Sequence, residues 1–134
     1  MSGAPPGLLR RLERWRRLVS LLCRWLEGLR GRLGRVSLVL FGSYARGDFN
    51  AWSDVDLILV WEGFEGRPMA ERWRLVRGLV EELGEPVDLV LWSPGEARKL
   101  LGKPSWRRAL AEACLVIADD YGLFSGRGCS RAGC

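Results

Sequence analysis

The segment of residues 54–60, Asp-Val-Asp-Leu-Ile-Leu-Val, constrains the fold of this chain more than any other. Side chains along a β-strand alternate between its two faces, so Asp54 and Asp56 share one face. Beyond Asp56 both faces are apolar, which is typical of a strand that is covered on both sides. We therefore expect a layered α/β domain in which an internal strand begins with a pair of carboxylates.

Strand and helix patterns alternate along the rest of the chain. Further strands are predicted at residues 36–41 and 87–92, with a short edge strand at residues 115–118. Helices are predicted from Leu8 to an end near Gly31–Gly34, from Pro68 to Gly84, and over residues 94–101 and 105–114. This order predicts the α/β (α+β) class, with helices covering the sheet.

The length of 134 residues predicts one domain, at residues 7–118. Residues 1–6 are expected to form a flexible leader, and residues 119–134 a flexible C-terminal tail. No segment approaches the ~20 apolar residues of a membrane span, and the Arg-rich start lacks the apolar core of a secretory signal. We therefore expect a soluble cytoplasmic protein. The Arg-dominated charge and the scarcity of amide side chains indicate a thermophilic source.

The complete lack of histidine narrows the available chemistry. It excludes Ser-His-Asp and Cys-His nucleophilic sites and every His-ligated metal centre. The four cysteines also lack the spacing of a zinc site. Cys23 and Cys114 are expected to be small buried apolar side chains, with a disulfide between them as the alternative, and no function is assigned to Cys129 and Cys134 in the tail.

Apolar residues recur at helical spacing through the first predicted helix. This seam consists of Leu8, Leu12, Trp15, Val19, Leu22, Leu26, Leu29 and Leu33. It is expected to pack on the protein's own sheet, and a second contact with a partner helix is left open. The net charge of +5 comes largely from arginines on the other side of this helix. These arginines are expected to form a solvated helix face.

A third acid, Asp88, lies inside another otherwise apolar strand. If that strand neighbours the first, Asp88 can converge with Asp54 and Asp56. Oxygen ligands without His or Cys suit Mg²⁺ or Mn²⁺, and carboxylates around a pair of such ions support phosphoryl and nucleotidyl transfer. Asp54, Asp56 and Asp88 are therefore the predicted catalytic residues and ligands of two Mg²⁺ ions, with Mn²⁺ as the alternative metal.

A phosphate-binding turn is predicted where the first strand ends. The sequence Phe-Gly-Ser-Tyr-Ala-Arg-Gly at residues 41–47 combines a strand end, a glycine turn and the free amides of a helical turn. Gly42 and Ser43 are the predicted nucleotide-binding residues, and Arg46 is placed to reach a phosphate oxygen. Ser53 is expected to shape the turn before Asp54.

The motif formed by residues 39–48 and 53–57, with Gly42-Ser43 ten residues before Asp54-Val55-Asp56, resembles the minimal nucleotidyltransferase (MNT) family of the DNA polymerase β-like superfamily. The resemblance covers roughly residues 7–118, and Asp88 falls where the family carries its third carboxylate. It implies a nucleotidyltransferase fold with a small mixed sheet flanked by helices. It also implies transfer of AMP from ATP to a tyrosine hydroxyl of a partner HEPN toxin, with the MNT protein as the antitoxin.

Other functions stay open at this point. The chain could neutralise its partner by docking alone, without catalysis, or transfer a nucleotide to a small molecule or an RNA end. Direct binding of nucleic acid is not expected, because Trp15 lies on the apolar seam instead of on a basic surface. The sequence leaves open whether the protein forms a homo-oligomer.

Overall fold

The computed structural model of the chain describes residues 6–134. Its helices are α1 (Pro6–Leu33), α2 (Gly42–Arg46), α3 (Met69–Leu83), α4 (Pro94–Leu100) and α5 (Pro104–Glu112), with a 3₁₀ turn at Glu62–Phe64. Its strands are β1 (Ser37–Phe41), β2 (Val55–Val60), β3 (Val87–Trp92), β4 (Cys114–Asp119) and β5 (Ser130–Arg131). The leader expected at residues 1–6 lies outside the described residues, except for Pro6, which begins α1.

The strands form one mixed sheet in the order β3-β2-β1-β4-β5. β1 is antiparallel to both β2 and β4, whereas β2 and β3 are parallel and are joined through α3. A parallel pair needs such a crossover connection. The mixed sheet with flanking helices confirms the predicted fold class.

Hydrophobic cores lie on both faces of the sheet, as the apolar run of β2 requires. Leu57 and Leu59 pack with α1 and α3 on one face. Ile58 and Val60 pack with residues of α4 and α5 on the other face. By strand alternation Asp56 shares the face of Ile58 and Val60. We call this side of the sheet the carboxylate face.

The seam of α1 is buried from its middle onward but not at its start. Leu22, Leu26 and Leu29 are 0–2% exposed, whereas Leu8 and Leu12 are 45% and 44% exposed. At 1.5 Å per residue the 28 residues of α1 extend about 42 Å, about twice the length of a six-residue strand. The first turns of α1 therefore extend beyond the core.

The C-terminal segment differs from the sequence-based expectation. Residues 115–118 are not an edge strand, because β5 pairs in parallel with β4 and leaves β4 between β1 and β5. β5 has two residues and no hydrophobic pattern that would have predicted it. The division into a leader, a domain and a flexible tail stays a prediction.

The expected state of the cysteines was wrong. Cys23 is bonded to Cys134 and Cys114 to Cys129, with Cα–Cα distances of 5.5 Å and 4.8 Å. These bonds tie the tail to α1 and to the start of β4. The alternative Cys23–Cys114 bond is excluded, since each cysteine has another partner.

No helix within residues 6–134 combines the length and the apolar character that crossing a membrane requires.

Candidate active site

The register of the parallel strands brings two of the predicted acids together. Asp56 on β2 pairs with Asp88 on β3, so both side chains lie on the carboxylate face. Asp54 precedes β2 by one residue and lies outside the paired strand. Asp54 and Asp88 are exposed, and Asp56 is half-buried.

The environment of Asp56 disfavours its negative charge. Burial raises the pKa of this carboxyl above its ordinary value, and the charges of Asp88 and Asp54 raise it further, while Arg46 opposes the shift. Phe41 is the cross-strand partner of Asp56 and packs edge-on against Trp106. Asp54 and Asp88 are near enough to repel the charge of Asp56.

No described Arg or Lys side chain forms an ion pair with Asp54, Asp56 or Asp88, although the chain has 21 such residues. Within residues 6–134 there is also no group of three or more His, Cys, Asp or Glu side chains already arranged to hold a metal ion. Asp56 and Asp88 therefore share a face of the sheet, but the described residues form no ready-made metal cage. Their hard oxygen donors and surplus negative charge suit a divalent cation such as Mg²⁺.

The turn that follows β1 lies directly against Asp56. Gly42 has a φ of +72°, and a Cβ built on it would lie 2.1 Å from Oδ2 of Asp56. Only glycine satisfies both the left-handed backbone and this close approach. The predicted phosphate-binding turn and the predicted metal ligand are thus in contact.

Buried aromatic rings hold this turn in place. Tyr44 of α2 is 3% exposed and stacks on Phe49 with ring centroids 4.2 Å apart. The carbonyl of Ser43 accepts hydrogen bonds from the amides of Gly47 and Asp48, at 2.9 Å and 3.2 Å. No side chain caps the first turn of α2.

Arg46 is not free in this structure. It forms ion pairs with Asp48 at 3.2 Å and with Glu112 at 3.4 Å. The Arg46 side chain is 39% exposed, and its positive charge opposes the rise in the pKa of Asp56. Sequence reasoning missed Glu112, because an exposed glutamate at the end of α5 carries no pattern that connects it with residue 46.

The loop before β2 is ordered by its own polar groups. The amide of Asn50 donates to Oγ of Ser53 at 3.0 Å, and the amide of Trp52 donates to Oδ1 of Asn50 at 2.8 Å. Ser53 therefore shapes the turn ahead of Asp54, as the sequence predicted. Trp52 is 92% exposed, an unusual state for so large an apolar ring.

The fold was compared with solved structures. A candidate nucleotidyltransferase from Sulfolobus solfataricus superposes with a TM-score of 0.57 and 22% identity, over 74% of this chain and 85% of that chain. At this identity the likeness establishes the fold alone. A toxin–antitoxin structure with AMP-PNP gives a TM-score of 0.46 and 23% identity, over 72% of this chain and 68% of that chain, which is too distant to support an inference.

The sequence identifies the family. Residues 22–114 match the model of the nucleotidyltransferase domain, which is well over half of the chain, so the chain belongs to this family. The bifunctional uridylyltransferase/uridylyl-removing enzyme of Streptomyces coelicolor is 34% identical over 106 residues, which cover 76% of this chain and 12% of that enzyme. The predicted enzyme class, a nucleotidyltransferase, is confirmed at the level of the family.

Proposed function

We propose that this chain is a metal-dependent nucleotidyltransferase that moves AMP from ATP to a hydroxyl group. The observation that carries the proposal is the contact of Gly42 with Asp56, together with the register of Asp56 beside Asp88. The predicted phosphate-binding turn and two of the predicted catalytic carboxylates meet there at one end of the sheet. Nucleotidyl transfer needs such an arrangement, because the triphosphate must lie beside the charges that hold its counter-ions.

The chain's own residues have separate roles in this reaction. Asp54 and Asp56 would hold two divalent ions, with Asp88 completing the site nearer the acceptor. When bound, such ions polarise the attacking hydroxyl and neutralise the departing pyrophosphate. The amides of Gly42 and Ser43 would bind the β- and γ-phosphates, and Arg46 would exchange a carboxylate partner for a phosphate oxygen.

The chemical step is an in-line displacement at the α-phosphorus. The acceptor oxygen forms a bond to this phosphorus, the bond to the bridging oxygen of the β-phosphate breaks, and pyrophosphate leaves. The proton of the hydroxyl passes to Asp88, since the chain has no histidine to accept it. The exposed position of Asp88 suits this role, because an acceptor can approach it from solvent.

The acceptor in this proposal is a tyrosine of a partner HEPN toxin, so that the chain acts as an antitoxin. The motif from Gly42 to Asp56 supports this role through its resemblance to the MNT family. A tyrosine hydroxyl on a partner's surface also fits a site that is open to solvent on the side of Asp54 and Asp88.

The proposal can be tested with α-labelled ATP, Mg²⁺ and a purified HEPN-domain toxin. We expect label on a partner tyrosine, loss of labelling with EDTA, and recovery with Mg²⁺ or Mn²⁺. The Asp54→Asn/Asp56→Asn variant should be inactive, whereas Glu71→Gln, an exposed change on α3, should retain activity. Full labelling by the double variant would refute the metal assignment, and neutralisation of the toxin by that variant would indicate docking without catalysis.

UTP is the second donor to test. The relative with 34% identity is a uridylyltransferase, so transfer of UMP is the competing form of the same reaction. Parallel assays with the four labelled ribonucleoside triphosphates decide between them. A clear preference for UTP would replace AMP by UMP and leave the assigned residues unchanged.

A further inference from the structure

A groove beside the first half of α1 has no role in the proposed chemistry apart from Arg46 in its wall. One cavity of about 560 Å³ lies between this helix and the loop that precedes β2, and a second of about 270 Å³ adjoins it. Both have Arg11, Tyr44 and Phe49 in their walls. We call this surface the α1 groove, formed by residues 8–17 of α1 together with residues 44–53.

The α1 groove is bordered by leucines that the domain does not bury. Leu8, Leu9 and Leu12 are 45%, 49% and 44% exposed. Leu8 and Leu12 belong to the same helical seam that fills the core further along α1. Contiguous exposed apolar residues mark interaction sites on soluble proteins, and two leucines four residues apart form the ridge on which a second helix packs.

The positive charge of the groove indicates an acidic partner and not a second copy of this chain. The α1 residues that line the cavities include one acid, Glu13, and four arginines: Arg10, Arg11, Arg14 and Arg17. Of these arginines, only Arg14 forms an ion pair in the described structure, with Glu85 at 2.6 Å. A second copy of this chain would bring four like charges against them, so self-association through this surface is disfavoured.

An exposed aromatic anchor lies at the edge of the groove. Ala51 and Ser53 line the larger cavity, and Trp52 between them is 92% exposed. Its loop is held by the hydrogen bonds of Asn50, so binding would not have to order it first. Tryptophan and arginine are the residues most enriched among the energetic centres of protein interfaces.

We propose that the α1 groove binds an acidic amphipathic helix of a partner protein. Leucines of α1 would pack against the apolar face of that helix, and its carboxylates would pair with Arg10 and Arg11. Phosphates of a nucleic acid would pair with the arginines but would leave the leucines exposed. The proposal goes beyond nucleotidyl transfer, because such binding needs neither nucleotide nor metal.

The position of the groove gives this binding a consequence for the active site. Ser53 in its wall directly precedes Asp54, and Arg46 and Gly47 line the smaller cavity. A helix seated there would lie beside the phosphate-binding turn without covering the carboxylate face. Bound at this surface, an acceptor protein would be held next to the reacting groups.

The probe is a displayed library of helical peptides. Each peptide has about 20 residues, which is long enough to form a helix on its own. Leucines are fixed along one face, the other positions are random, and selection on the full chain is done with EDTA and no nucleotide. Recovered peptides are then titrated by fluorescence anisotropy against Arg10→Glu/Arg11→Glu, Leu8→Ala/Leu12→Ala and the charge-matched control Arg74→Glu/Arg77→Glu. A labelled single-stranded oligonucleotide is titrated in parallel.

We expect net-acidic peptides whose affinity falls at least tenfold in both groove variants and is unchanged in the control. Circular dichroism checks that each variant is folded. Peptides without net negative charge, or equal affinity for the groove variants and the wild type, would overturn the proposal. Binding of the oligonucleotide through the arginines, without binding of any peptide, would also overturn it. A wild-type dimer that Leu8→Ala/Leu12→Ala converts to a monomer would do the same.

Discussion

Replacing Gly42 by alanine tests the contact on which the active-site geometry depends. The new Cβ would lie 2.1 Å from Oδ2 and 3.0 Å from Cγ of Asp56. Since ordinary contacts are well above 3 Å, the carboxylate must move by about 1 Å or more. The left-handed φ of +72° adds a backbone penalty of about 1–2 kcal/mol.

Gly84 provides a matched control for the backbone penalty. It has a φ of +71° at the end of α3, and a Cβ there would meet nothing within 4 Å. Gly84→Ala should therefore lose about 1–2 kcal/mol of unfolding free energy in urea denaturation and keep its transferase activity. Gly42→Ala should lose more stability than this, and its transfer rate should fall about 100-fold, because a displacement of 1 Å at reacting groups has effects of this size.

A double variant isolates the clash without any measurement of activity. In an Asp56→Ala background the carboxylate is gone and only the Cβ of residue 56 remains close, at 3.2 Å, so Gly42→Ala should lose little more than the backbone penalty. The coupling between the two changes is expected to lie within about 0.5–3 kcal/mol, the usual range for residues in contact. Equal stability and activity of Gly42→Ala and Gly84→Ala would refute the reasoning, because the carboxylate would then have room to move without consequence.

Three further predictions follow from other contacts. The folded state raises the pKa of Asp56, so ionisation of this carboxyl opposes folding. Asp56→Asn should therefore be more stable than the wild type at pH 7, and this gain should be lost as the pH falls toward 3.8. Equal urea midpoints at pH 7 would contradict this. The bond between Cys23 and Cys134 closes 111 residues, so Cys23→Ser should lower stability by about 4–5 kcal/mol, whereas a melting temperature insensitive to reductant would argue against the bond. Trp25 donates to the carbonyl of Leu79 at 2.7 Å in the core, so Trp25→Phe should lose about 1–3 kcal/mol in thermal unfolding, and an unchanged melting temperature would show that the carbonyl finds another donor.

The sequence predicts the carboxylate face because local rules decide it. The apolar run after Asp56 requires an internal strand, and alternation then places Asp54 and Asp56 on one face. The position of Asp88 needs one more condition, that β3 neighbours β2. The long helix between the two strands favours a parallel crossover, and the observed register aligns Asp88 with Asp56.

The remaining features depend on the path of the whole chain. Four cysteines allow three pairings, and no local pattern selects the one in which Cys23 reaches Cys134. β5 is recognisable only from its partner strand β4, since two residues of a Gly-rich tail have no period. The exposure of Leu8 likewise depends on where the sheet ends under α1, which the helical seam does not indicate.

The pKa of Asp56 is shifted in the opposite direction from those of several acidic residues elsewhere in the protein. Elsewhere, arginine pairs lower the pKa of acids, as Arg14, Arg72 and Arg30 do for Glu85, Glu96 and Asp120. Asp56 has the opposite shift, although Arg46 is near enough to affect it. In a protein that acts by docking alone, a neutral residue in place of Asp56 would increase the stability of the fold. The uncompensated charge beside Gly42 supports the proposed cation site instead, because repulsion that opposes folding also strengthens the binding of a divalent ion.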